Sequence, residues 1–157
     1  MKKILSIITL FLIVLSKAQG KNYLNKGEIT IPIGQKVILK PEIKNNKITN
    51  FEIVKEVTIN EKIDLFNTLE NFKKDEVKDN SIELTFTEAQ MITSTIYALI
   101  VIQKTGKKMI FKAKMKLQGN STYQSTSIMP AVSNTIHVEQ WKDHIDSIIL
   151  YDFELKY

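Results

Sequence analysis

Residues 95–118 read "TIYALIVIQKTGKKMIFKAKMKLQ", and they decide the fold class. Ile96 to Ile102 is apolar at every position, so a strand here has to be covered on both faces. Thr105 and Gly106 then give a turn signal. Beyond it, Phe111, Ala113, Met115 and Leu117 alternate with Lys112, Lys114 and Lys116. Period-two alternation is the mark of a strand with one buried face. Two such runs around a short Gly-containing turn predict a β-hairpin, with the first strand central in a sheet.

The same period recurs on both sides of this stretch. Upstream, "EITIPI" (28–33) puts Ile29, Ile31 and Ile33 on one face, and Pro32 marks an edge because it cannot donate to a ladder. "KVILKPEI" (36–43) aligns Val37, Leu39 and Ile43, with Pro41 again at an edge or bulge. "KNNK" (44–47) is a turn, since Asn tolerates a left-handed backbone. "NFEIVKEVTI" (50–59) aligns Phe51, Ile53, Val57 and Ile59, with a bulge expected near Lys55. "SIELTFTEA" (81–89) points Ile82, Leu84 and Phe86 inward and Glu83, Thr85 and Thr87 outward. Downstream, "STYQSTSIMP" (121–130) is a polar extended segment, and "SIILYDFELKY" (147–157) aligns Ile149, Tyr151, Phe153, Leu155 and Tyr157. No tail is expected beyond that strand.

Two stretches break the pattern. In "NEKIDLFNTLENFKKD" (60–75), Ile63, Phe66, Leu69 and Phe72 recur every three residues. This predicts a helix with Asn60 as its N-cap and Lys73 and Lys74 at its C-terminus. "TIHVEQWKDHID" (135–146) holds both histidines, His137 and His144, and the single tryptophan. "EQWKDHID" is read as a short helix whose Trp141 and Ile145, four apart, face the core and plug one end of the fold. Its His144 then lies near the helix C-terminus, where positive charge is favoured.

The expected architecture is all-β: an immunoglobulin-like antiparallel β-sandwich of seven or eight strands with one or two short helices. It occupies residues 19–157 as one domain. Before it, residues 1–18 have the layout of a secretory signal peptide: Lys2 and Lys3, an apolar run from Ile4 to Leu15, and small residues Ser16 and Ala18 before a cleavage point. The apolar run is shorter than the roughly 20 residues of a spanning helix, and no transmembrane helix is expected in the mature chain. The destination is the periplasm, outer envelope or medium. The chain has no cysteine, so neither disulfides nor a lipidated cysteine hold or anchor it.

The formal charge of +5 falls when Lys2, Lys3 and Lys17 leave with the leader, because 22 less 3 lysines stand against 17 acids, a net of +2. Every cation is lysine. Without the bidentate fork of arginine, and in an exported chain, nucleic acid is not the expected partner. The charges are unevenly placed. No acid occurs between Glu88 and Glu139, while Lys104, Lys107, Lys108, Lys112, Lys114 and Lys116 all fall there. Lys112, Lys114 and Lys116 share one strand face and are the candidate binding residues, as a basic face for an acidic glycan, lipid head groups or an acidic protein. They equally suit a solvated face that discourages edge pairing.

Catalytic and metal chemistry find little support. His137 and His144 are seven apart, about 10.5 Å along a helix, too far to share one ion without help. Glu139 and Asp143 stand at i and i+4 but bring no histidine between them. There is no G-x-S-x-G elbow and no clustered glycine loop. No cofactor or metal is expected, and binding is favoured over catalysis. Asp146-Ser147-Ile148 has the acid–hydroxyl–aliphatic form of an O-glycosylation site, and Asn120-Ser121-Thr122 that of an N-glycosylation site.

"STYQSTSIMPAVSN" (121–134), followed by an acid, a Trp and the aromatic strand "SIILYDFEL" (147–155), resembles small exported β-sandwich proteins of Bacteroidota. The Ala-Gln ending of the leader is similar to signal peptides of that group. The resemblance implies export and a sandwich; it brings no catalytic residue to this chain. The expected function is an exported, non-catalytic binding or interaction module for a protein or glycan of the envelope. The alternatives are a structural accessory subunit of an envelope assembly or a small hydrolase.

Overall fold

The computed structural model describes residues 24–72 and 78–157. The leader expected at 1–18 lies outside them, as do Lys73 and Lys74. The described elements are β1 (Leu24–Asn25), β2 (Glu28–Pro32), β3 (Gln35–Lys44), β4 (Lys47–Thr58), β5 (Ile63–Asp64), helix α1 (Leu65–Glu70), β6 (Ile82–Met91), β7 (Ser94–Gln103), β8 (Lys108–Leu117), β9 (Gln124–Thr126), β10 (Ile136–Trp141) and β11 (Ile145–Lys156). Eleven strands therefore replace the seven or eight expected; eight have five residues or more, and β1, β5 and β9 are stubs. All pairings are antiparallel except the short β5–β6 pair.

The strands form one continuous sheet that folds over itself, a sandwich-like arrangement. One half runs β10-β7-β6-β3-β4; the other runs β1-β2-β11-β8-β9. The halves join where β11 leaves β2 and reaches β4 through the single pair Glu154↔Lys47. The register slips between Tyr151 and Glu154 at this corner, and Asp152 takes a positive φ of 57°. A bulge of this kind bends a strand from one layer into another.

Inner faces of both halves meet in one core built on Ile29, Ile31, Leu39, Leu84, Phe86, Leu99, Met109, Ile148 and Leu150, each fully buried. The alternation in the sequence is what delivers these residues to one side. The two-Asn turn holds as expected, with Asn45 and Asn46 at φ of 50° and 62°. Pro41 falls where β3 has already lost its β6 neighbour, which pairs only as far as Leu39. The bulge expected near Lys55 is present: Lys55 opposes Ile38 and Ile53 opposes Leu39, leaving Val54 unpaired and exposed. Gly34 has a φ of 77°, and a Cβ there would stand 2.9 Å from the Ile59 carbonyl oxygen, so only glycine fits this turn.

Five expectations need correction. First, β7 and β8 do not form a hairpin. Both edges of β7 are taken, by β6 and β10, and β8 pairs with β11 and β9. The turn residues reverse the chain, but the buried Gln103 side chain redirects it by donating to the carbonyls of Lys107 and Ala131 and accepting from Thr105 N–H and Oγ1. Second, "EQWKDHID" is not a helix. It is the end of β10, a turn at 142–144 and the start of β11. Six consecutive pairs with β7 outweigh the local helical spacing. Trp141 and Ile145 still reach the same core, from two strands.

Third, the first helix is shorter. β5 keeps the chain extended through Asp64, which caps α1 by accepting from Asn67 N–H at 3.0 Å, so Asn60 is not the cap. Leu65 is its buried residue, while Phe66 and Leu69 stay exposed. Fourth, Thr85 and Thr87 are buried rather than outward in solvent. A second, smaller core of Leu65, Ala89, Ile96, Ala98 and Ile100 covers the outer face of β6 and β7. Fifth, the last strand changes face at Asp152. Ile148 and Leu150 are buried before the bulge, Phe153 and Leu155 after it, so Ile149 and Tyr151 point outward and Tyr157 is exposed. Ile43 is likewise exposed, near the tip of the β3–β4 ribbon.

Candidate functional site

The outward face of β8 and β11 gathers the expected binding residues. Met109, Phe111 and Ala113 are buried and Met115 and Leu117 pack on the core, so Lys112, Lys114 and Lys116 project the other way. Alternate residues on a strand lie about 7 Å apart, which sets the three lysines in a row along the strand. Opposite them on β11 stand Tyr151, Ile149 and Ser147 respectively, and beside these, on β2, Thr30 and Pro32.

The three lysines are not equivalent. Lys112 Nζ lies 2.7 Å from Asp152 Oδ2. The hydrogen bond and charge of Asp152 hold the Lys112 pKa above its ordinary value, and Lys112 holds that of Asp152 below. Lys114 Nζ lies 4.8 Å from the centroid of the Tyr151 ring, a cation–π contact. Lys116, facing Ser147, ends the row. The Lys112 end borders a cleft of about 520 Å³ at the corner between the two halves. That cleft balances Lys26, Lys47 and Lys112 against Glu28, Asp152 and Glu154. Net positive character therefore resides at Lys114 and Lys116, with Tyr151 as a flat apolar neighbour.

Ser147 lies on this face but is nearly buried, its Oγ 2.8 Å from the Tyr123 hydroxyl. Modification of the folded chain at Ser147 requires Tyr123 to move first. Asn120 is exposed, in the β8–β9 connection.

The two histidines separate. His137 Nε2 is 3.0 Å from Glu139 Oε1, both on the inner face of edge strand β10 and mostly buried. The same Glu139 oxygen accepts from Met129 N–H at 2.6 Å. Trp141, further along that face, donates its N–H to Thr126 Oγ1 at 3.2 Å and meets Phe86 edge-on. These contacts pin the 126–129 segment across the open side of β10. Glu139 thus partners His137, not Asp143, and the pair binds backbone.

His144 sits in the β10–β11 turn with Nδ1 2.6 Å from the Tyr97 hydroxyl. Tyr97 donates to Glu88 Oε1 at 3.4 Å, which leaves its oxygen to accept from His144 Nδ1–H. Lys62 closes the chain with an ion pair to Glu88 at 3.1 Å. Burial raises the Tyr97 pKa above the ordinary tyrosine value, reinforced by the charge and hydrogen bond of Glu88 and by the charge of Asp146. Sequence reasoning missed this relay, whose partners are 9 and 47 residues apart. The His137–Glu139 pair was findable, since reading 136–141 as a strand puts both on one face.

Among the described residues, no group of three or more His, Cys, Asp or Glu side chains comes together to hold a metal ion, and no helix is long and apolar enough to cross a membrane. No family model, curated protein or solved structure matches this chain.

Proposed function

We propose that this chain is an exported, non-catalytic binding module whose ligand is an acidic glycan or an acidic protein surface of the cell envelope. One observation carries the reading. Lys112, Lys114 and Lys116 form a row on a sheet face with Tyr151 set among them; Lys112 is paired with Asp152, Lys114 and Lys116 carry the net positive charge, and the two histidines are engaged elsewhere by Glu139 and Tyr97. A row of amines beside an aromatic ring suits a repeating anion: the ring packs on an apolar sugar or side-chain face and the amines meet carboxylates. Export is supported by the signal-like layout of residues 1–18. An immunoglobulin-like sandwich is supported by the two facing halves and their shared core.

The test is binding of an acidic polysaccharide such as polygalacturonate, at low and high salt, by the wild type and a K112Q/K114Q/K116Q variant. Screening shortens from about 30 Å at 0.01 M to 3 Å at 1 M salt. Binding that weakens steeply with salt and vanishes in the triple variant is expected. Binding that ignores both changes removes the basic face from the function. Turnover of the polysaccharide would return the hydrolase alternative.

A further inference from the structure

At one end of the β6–β7–β10 half, a recess of about 430 Å³ opens between the β6–β7 hairpin tip and the end of β10. Met91, Ile92, Ile96 and Trp141 give it an apolar lining, and Gln140, Thr93 and Ser94 supply neutral polar groups. Its single charged residue is Lys142, and no carboxylate lines it. Asp143, the next residue, is exposed in the turn outside.

Ile92 is the odd member. It is 75% exposed and has a φ of 57°. The hairpin closes with Met91 opposite Ser94, leaving Ile92 and Thr93 as its two-residue loop. Loops of this size place Gly, Asn or Asp where φ is positive. A β-branched residue there is strained, and its exposed side chain contributes little burial in return. Strain at an exposed apolar side chain bordering a cavity fits a contact made with a ligand.

From these observations we infer that the recess is a binding site for a single-chain anionic amphiphile, a fatty carboxylate or its equivalent. The volume lies within the 300–1,000 Å³ typical of small-ligand sites. The acyl chain lies against Met91, Ile92 and Ile96, and the headgroup meets Lys142 Nζ. Charge complementarity favours an anion over a neutral or cationic head. This site is on a different part of the molecule from the basic face and does not depend on it.

Trp141 is the only tryptophan of the chain; it borders the recess and also meets Phe86 and Thr126, so its emission responds to the recess and to the core beside it. The experiment titrates the purified protein with dodecanoate below its micelle concentration, with dodecanol and dodecyltrimethylammonium as neutral and cationic probes. A saturable emission change with dodecanoate is expected, weakened about five- to tenfold by K142Q, the ratio of roughly one charge-assisted contact. Dodecanol should not distinguish K142Q from the wild type. Because I92G relieves the positive φ, it should melt higher than the wild type while binding dodecanoate more weakly, which separates lost contact from lost folding. The K112Q/K114Q/K116Q variant should respond as the wild type does. No saturable change, or equal dodecanoate affinity in K142Q and wild type, overturns the site. A Trp141 shift with phosphatidylglycerol vesicles and none with dodecanoate overturns it too, in favour of a bilayer surface.

Discussion

The β6–β7 pair and the β8–β11 pair are both long antiparallel ladders, yet they meet solvent differently. The first is covered twice, by the main core on one face and by the Leu65–Ala89–Ile96–Ala98–Ile100 cluster on the other. The second is covered once, and its free face carries lysines opposite Tyr151, Ile149 and Ser147. The difference teaches where each pair is replaceable. On β6–β7 both parities of the sequence hold the fold together. On β8–β11 one parity holds it and the other is available for contact.

The largest break should come from the face that both halves share. Phe86→Ala removes a fully buried ring from the main core and should destabilise by about 3–5 kcal/mol in urea unfolding. Leu65→Ala tests whether the outer cover of β6–β7 is a real core. It should cost about 2–3 kcal/mol, and a loss near zero would make β6–β7 no different from β8–β11. On the free face, Lys114→Thr should shift stability by no more than about 0.5 kcal/mol.

The Tyr97 relay sharpens the comparison by pH. A phenol whose folded pKa is raised lends stability that is complete below the unfolded tyrosine value, near 10, and is lost as pH rises through the folded value. Stability to denaturant, measured from about pH 9 to 11, should therefore fall more steeply for the wild type than for Tyr97→Phe. Parallel curves would mean that the buried phenol is not linked to folding.

The sequence made most of the long strands legible because they bury at least one parity, from Ile29 and Ile31 through Leu84 and Phe86 to Phe111 and Ala113. Partners were harder. Thr105 and Gly106 predict a reversal, but nothing local says that β10 already holds the β7 edge. The parity switch at Asp152 was hidden for a similar reason, since the positive φ belongs to a residue whose neighbours read as one strand. The helical spacing of Trp141 and Ile145 misled because two strands joined by a tight turn bring the same residues to the same core. The lysine row was legible, as alternation alone defines its face. The recess at Ile92 was not, because it joins a hairpin tip to a strand end about fifty residues away, and only the fold creates it.

The most direct measurement is capture of acidic polysaccharide and envelope proteins by the tagged chain at low and high salt, in parallel with K112Q/K114Q/K116Q of equal melting temperature. The expected result is a ligand retained at low salt, released at high salt and absent from the variant. A ligand held equally by both proteins at both salts would contradict the basic-face account, however well the variant folds.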